Sequence, residues 1–301
     1  MKKTLSLIQA AFMTAIMAVS VTASVAELPK DYKPSYYFKA EEGTGIEVLK
    51  YGTVYVNTKD TSTDSAVIPC AVFIKDEQKL AGAVVAKWEC ENKSLALKDL
   101  TSPITVEKYG KTAYADFNEK EDSVLIKQFD DLNILSVVYS TYTSADPMKL
   151  TGETSDAYPI ACFNAILAKD AAFGSYDINI INKKDYSSTV SPRYVDNPEL
   201  IGSVDMSQTS KNLRVNVSDR QLGDVNNNGF IDAVDASAIL KEYATLSAKK
   251  DSTMTKEQTA AADINGDKII DAVDASGVLA FYASVSSGKK DLTLNQFINK
   301  D

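Results

Sequence analysis

Two twelve-residue segments constrain this chain more than any other feature. Asp224-Val225-Asn226-Asn227-Asn228-Gly229-Phe230-Ile231-Asp232-Ala233-Val234-Asp235 is followed by a second copy, Asp263-Ile264-Asn265-Gly266-Asp267-Lys268-Ile269-Ile270-Asp271-Ala272-Val273-Asp274. Oxygen-bearing side chains stand at loop positions 1, 3, 5, 9 and 12 of both: Asp224, Asn226, Asn228, Asp232 and Asp235, then Asp263, Asn265, Asp267, Asp271 and Asp274. Alternate residues of a tight loop point inward, and a hard cation of calcium's size takes six to eight oxygens at about 2.3 to 2.6 Å. Position 7, Phe230 or Ile269, is expected to add its backbone carbonyl. Each loop is therefore expected to hold one calcium ion, two in all.

The ligand order is that of an EF-hand loop, with Asp235 and Asp274 in place of the usual bidentate Glu at position 12. That shorter carboxylate must draw the following helix closer to the ion. Position 6 is Gly229 in the first copy and Lys268 in the second. A side chain at that left-handed position costs roughly 1 kcal/mol, so the second loop is expected to bind calcium more weakly. After each loop the spacing predicts a short amphipathic helix, marked by Ile239, Leu240 and Tyr243 and then by Val278, Leu279 and Tyr282. The strings 232–237 and 271–276 are identical, which makes the module nearly two-fold symmetric.

A pair of loop-and-helix repeats of this length, with Asp at position 12 and no entering helix, resembles a dockerin. The resemblance implies calcium-dependent folding and docking onto a cohesin of another scaffoldin. Residue by residue it places the recognition positions on Ala233 and Val234 in one repeat and on Ala272 and Val273 in the other. These are small and apolar, where many dockerins of this kind carry a hydroxyl pair.

Upstream, Lys2 and Lys3 precede an apolar run from Leu5 to Val21 that ends in small residues, so 1–26 reads as a secretory signal peptide and the remainder as secreted and extracellular. No membrane contact is expected once the leader is removed. A net charge of −9 repels a phosphate backbone, which argues against nucleic acid as a partner. The chain has no histidine, which removes the usual zinc ligand and the commonest acid–base side chain. A two-carboxylate glycosidase survives that filter, but Glu89, Glu91, Asp130 and Asp131 show no spacing that singles out a pair, and no catalytic residue is assigned. Cys70, Cys90 and Cys162 are too few for a disulfide framework and read as buried structural thiols, although one pair could be bridged.

From about Tyr36 to Val217 β-branched and aromatic runs alternate with polar turn clusters. Runs at 53–56, 66–74, 81–88, 134–139, 160–167, 176–180 and 213–217 predict strands, and so many short strands predict an all-β sandwich over 31–217. The run 67–74 is almost continuously apolar, as in a strand buried on both faces, whereas 176–180 alternates. Residues 218–222 read as a short linker that keeps the two modules close together while its polar residues leave their relative orientation free, and 223–301 as the all-α calcium module.

The order of strands and turns also resembles a cohesin, of jelly-roll type, through Val54–Asn57, Ala66–Ile74, Leu80-Ala81-Gly82, Leu95-Ala96-Leu97 and Lys169 to Tyr176. Together the two resemblances imply an adaptor scaffoldin of a cellulosome, whose cohesin-like module takes dockerin-bearing enzymes in polysaccharide degradation. The alternatives are a carbohydrate-binding module carried by the dockerin and a dockerin-borne glycoside hydrolase. Sugar binding needs exposed aromatic platforms. The single tryptophan, Trp88, reads as core, and Tyr139 and Tyr142 are the better platform candidates.

Overall fold

The computed structural model describes residues 31–61, 65–78, 81–102, 122–141, 159–181, 183, 187–194, 197–200, 204–206, 210–289 and 292–300. The leader at 1–26 and Tyr142 lie outside the described residues.

The N-terminal part is built of strands β1 (Ser35–Ala40), β2 (Ile46–Val48), β3 (Val54–Asn57), β4 (Ala66–Lys75), β5 (Ala81–Glu89), β6 (Leu95–Thr101), β7 (Asp122–Phe129), β8 (Ile134–Thr141), β9 (Pro159–Leu167), β10 (Gly174–Ile180), β11 (Thr189–Tyr194), β12 (Asn197–Leu200), β13 (Val204–Asp205) and β14 (Leu213–Ser218). One sheet runs β1-β4-β9-β6. The other runs β12-β11-β5-β10-β14-β3-β2, with β8 against β5, β7 against β8 and β13 against β11. The pairs are antiparallel except β14 on β3. Tyr36, Ile68, Phe163 and Leu97 from the first sheet meet Trp88, Ile178, Val215 and Val54 from the second in one core, so the expected sandwich is formed. Trp88 is fully buried between Phe38 and Phe163, and Tyr139 is buried too, so neither is a surface platform.

One reading of the strands needs correction. β4 is not buried on both faces: it alternates up to Val72, with Val67 exposed, and is continuously buried only over Val72–Ile74. The doubly buried strand is β3, whose four residues are all inaccessible. Val54 and Val56 enter the sandwich core, while Tyr55 points the other way into a second core. β14 behaves likewise, with Leu213, Val215 and Val217 in the sandwich and Asn216 and Ser218 buried on the opposite face.

That second core belongs to the C-terminal module of α1 (Ala233–Ser247), α2 (Lys256–Ala262), α3 (Ala272–Ser286) and α4 (Leu294–Ile298). α1 and α3 are the expected helices leaving the loops, and they pack on each other through Ala236, Ile239, Ala275 and Val278. The expectation of no entering helix fails for the second loop, because α2 runs directly into Asp263. Thr255 caps α2, its hydroxyl accepting from the Gln258 N–H while the Gln258 side chain accepts from the Thr255 N–H. The Thr-x-x-Gln box was the sequence signal for that start, and Thr293–Gln296 repeats it at α4.

The five-residue stretch 218–222 does not act as a free linker. Ser218 ends β14, Leu222 is buried in the second core, and the Tyr55 hydroxyl donates to the Arg220 carbonyl at 2.9 Å. Leu49 and Tyr55 of the sandwich share that core with Ile264, Val278 and Leu294. α2 lies over the outer face of β14 and β10, where the Lys256 stem rests on Gly174 and the Ser218 hydroxyl donates to the Glu257 carbonyl. The two modules are joined through buried apolar surface as well as through the chain.

The cysteines are free thiols. Cys70 and Cys90 are buried, as expected, and burial pushes Cys70 up to about 12 and Cys90 up to about 11. Cys162 is only half-buried.

Candidate functional site

Both loops are curled by hydrogen bonds from their backbone N–H groups to their own Asp and Asn side chains. In the first, the Asp224 carboxylate accepts from the N–H groups of Asn228 and Gly229 at 3.0 and 2.8 Å. The Asn226 side-chain oxygen accepts from the Asn228 N–H, and the Asn228 oxygen from the Phe230 N–H. In the second, Asp263 accepts from Gly266 and Lys268 at 2.9 and 3.1 Å, Asn265 from Asp267, and Asp267 from Ile269. These bonds curl the backbone so that alternate side chains turn inward. The curl takes positions 4 and 6 into the left-handed region in both copies: Asn227 at φ 61° and Gly229 at 85°, then Gly266 at 79° and Lys268 at 74°. Lys268 thus occupies the strained position that its sequence indicated.

Positions 9 and 12 do double duty. Asp232 caps α1 by accepting from the Val234 N–H at 2.7 Å, and Asp235 accepts back from the Asp232 N–H at 3.0 Å. Asp271 and Asp274 repeat the arrangement at α3 with the same distances. Each capping box uses one oxygen of each carboxylate. The second Asp235 oxygen accepts from Asn226 and that of Asp274 from Ile264, which ties the end of each loop to its beginning. The side chains of Phe230 and Ile269, at position 7, face solvent.

The donor chemistry fits a hard divalent cation. Asp224, Asp235, Asp263 and Asp274 are all nearly inaccessible, and none forms an ion pair among the described residues. Burial pushes Asp263 up to about 6 and Asp274 up to about 7, with the neighbouring carboxylates adding to the rise. Asp235 is raised for the same reasons. A buried carboxylate without a countercharge is costly, and a bound cation removes the cost. Among the described residues no three His, Cys, Asp or Glu side chains close on one point. That is compatible with loops that draw part of their oxygen set from Asn amides and a backbone carbonyl.

The two loops differ in surroundings. Positions 3 to 7 of the first, Asn226–Phe230, are exposed. In the second, Asn265 and Gly266 are buried against the turn between β2 and β3. There the Tyr51 N–H donates to the Asn265 carbonyl at 3.1 Å, and the Thr53 hydroxyl donates to the Gly266 carbonyl at 2.6 Å. Beside them Arg214 holds Asp177 through two hydrogen bonds of 2.8 and 2.9 Å, which lowers the Asp177 carboxyl. Lys268 of the loop adds to that lowering, and the Asp263 charge adds a small part to the rise of Arg214. Gly266 and Thr53 were missed as functional candidates in the sequence. The usable signal was a glycine at position 4 of one loop where the other has Asn227.

The expected partner positions lie at the surface. Ala233 and Ala272 are exposed, and Val234 and Val273 are 59% and 61% accessible. Of the residues expected to mark the helical core face, Ile239 and Val278 are buried, but Leu240, Tyr243, Leu279 and Tyr282 point outward. The helix face turned to solvent therefore carries large apolar side chains as well, and it does so in both repeats. On the sandwich, Glu89 pairs with Lys183 and Asp130 with Lys98, so two of the carboxylates considered for catalysis are engaged in ion pairs.

No curated protein compared with the chain matches it. The sandwich is similar to the seventh ScaB type I cohesin from Pseudobacteroides cellulosolvens, at 13% identity and a TM-score of 0.37 over 62% of this chain and 93% of that one. It is similar to a type III cohesin module of the cellulosomal ScaE cell-surface anchoring scaffoldin of Ruminococcus flavefaciens, at 11% identity and a TM-score of 0.37 over 66% and 97%. A type II cohesin domain from the cellulosome of Acetivibrio cellulolyticus aligns at 8% identity and a TM-score of 0.36 over 61% and 95%. Residues 222–279, which span both twelve-residue loops and the first half of α3, match the family described as the dockerin type I domain.

Proposed function

We propose that this chain is a secreted, non-catalytic adaptor of a cellulosome, binding a cohesin of another scaffoldin through 223–301 and a dockerin-bearing component through 31–217. Dockerin type I domains bind calcium. In this reading each loop holds one ion, through Asp224, Asn226, Asn228, Asp232, Asp235 and the Phe230 carbonyl, and through Asp263, Asn265, Asp267, Asp271, Asp274 and the Ile269 carbonyl. The ions neutralise the buried carboxylates and hold α1 and α3 in register. The observation that carries the reading is the duplicated outward face in a module that matches the dockerin family. Val234, Leu240 and Tyr243 on α1 correspond to Val273, Leu279 and Tyr282 on α3, each pair equally exposed. Exposed apolar side chains in a small, calcium-stapled module are expected to be covered by a partner. The role of the sandwich as a cohesin rests on its order of strands and turns.

The test uses the full chain, immobilised, with a purified type I cohesin and a purified dockerin as separate analytes. Cohesin is expected to bind in calcium and to be released by chelator. Val234→Asp or Val273→Asp alone is expected to leave cohesin capture, because the other face remains, and the double variant to abolish it while dockerin capture by the sandwich persists. Cohesin capture that is undiminished in chelator overturns the docking role. Retention of the chain on cellulose or xylan without dockerin capture overturns the adaptor role in favour of sugar binding.

A further inference from the structure

We propose that the second calcium loop is also the latch that holds the C-terminal module on the chain's own sandwich, so that filling it with calcium and fixing the two modules relative to one another are one coupled event. The inference rests on the reading of the loops as calcium sites. Its basis is the asymmetry of two otherwise matched repeats. Position 3 of the second loop is clasped by a backbone bond from Tyr51, and position 4 by the Thr53 hydroxyl. A Cβ at Gly266 would stand 2.8 Å from the Leu49 Cβ and 2.9 Å from the Thr53 Cβ, closer than real Cβ atoms approach. The equivalent residue of the first loop is Asn227, which carries that Cβ and is exposed. The first loop in its present sequence therefore cannot take the place of the second against the sandwich, although the repeats share every ligand position.

The clasped residues are continuous with the ligands. Asn265 offers its side-chain oxygen to the loop interior and its carbonyl to Tyr51, and Gly266 donates to the Asp263 carboxylate while its carbonyl accepts from Thr53. A loop that curls round an ion presents these two carbonyls in a fixed direction, whereas an uncurled loop does not. The sandwich side is equally built for the contact. Leu49 and Tyr55 are buried in the shared core, Thr53 is buried, and the Asn295 side chain of α4 donates to the Val48 carbonyl at 3.1 Å. By linkage, whatever the sandwich contact adds to calcium affinity at the second loop, calcium adds to the contact. The first loop, open from Asn226 to Phe230, lacks this coupling.

The experiment is hydrogen exchange of the full chain across a calcium titration, read on peptides covering 49–55, 224–235 and 263–274, with small-angle scattering at the end points. In the wild type, protection of 49–55 is expected to rise at the calcium concentration that protects 263–274. Gly266→Asn copies the first loop, keeps the left-handed backbone accessible and leaves the ligands in place. It is expected to shift the midpoint of 263–274 upward by about tenfold, to leave that of 224–235 unchanged, and to remove the calcium-dependent part of the protection of 49–55, that of the Tyr51 amide, in an elongated particle. Thr53→Val, outside the loop, is expected to shift the same midpoint in the same direction by a smaller factor. The latch is overturned if 49–55 is equally protected with and without calcium, or if both variants keep wild-type midpoints and scattering. If no loop peptide responds to calcium in any form of the chain, the calcium reading itself falls, and the latch with it.

Discussion

Lys268 sits at φ 74°, a conformation that costs a side chain with a Cβ roughly 1 kcal/mol and glycine nothing. Gly229 holds the same place in the first loop at φ 85° with open space around it. Lys268→Gly should therefore tighten calcium at the second loop by several-fold, which calorimetric titration would read; an unchanged affinity would mean that the strain is relieved elsewhere. The Asp177–Arg214 pair makes a second prediction. The Arg214 guanidinium lowers the Asp177 carboxyl, so the pair stabilises the fold above the ordinary carboxylate range near pH 4, and that contribution disappears as pH falls through the lowered value. Both partners are about one-third exposed, so solvent screening limits the effect to at most about 1 kcal/mol. Asp177→Asn should lower the melting temperature slightly at pH 7 and have little effect at pH 3, and a loss of equal size at both would point to packing instead of charge.

Among the strands, the period-two alternation of Tyr176–Ile180 and the apolar character of 134–139 and 160–167 depend only on neighbours along the chain, and these strands form where they are expected. The 66–74 run misled because Val67, Pro69 and Ala71 are apolar yet lie on the outward side of β4, and apolar residues on an outer face are common. Trp88, one residue before the end of β5, fills the space between the sheets against Phe38 and Phe163. Trp88→Ala should cost about 3 to 5 kcal/mol in denaturant unfolding; a cost below about 1 kcal/mol would contradict its place as the central wedge. α2 escaped notice because its seven residues carry no apolar stripe beyond alanines, Ala260 to Ala262, and only the Thr255–Gln258 box marked it.

For the whole molecule, the shared core joins the C-terminal module to the sandwich. Leu49 and Tyr55 belong to the sandwich by sequence but pack with Ile264, Val278 and Leu294, so loss of the C-terminal module exposes part of the sandwich. The full chain should melt as one cooperative unit in calcium. In chelator only the sandwich should melt cooperatively, at a lower temperature than in calcium; Asp224→Ala with Asp263→Ala should reproduce the chelator profile in the presence of calcium. Two transitions with an unshifted sandwich step in both buffers would show that the modules are energetically independent. The sequence by itself determined the two loops, the two helices leaving them, the burial of Trp88 and the sandwich, because each is written in spacings of a few residues. Only the tertiary structure decided that Tyr55 turns away from the sandwich into the helical module, that 218–222 is clasped, and that Gly266 rather than Asn227 meets the β2–β3 turn. Thr53 and Gly266 stand 213 residues apart in the chain, and no local period links groups that become neighbours only when β14 lies down beside β3.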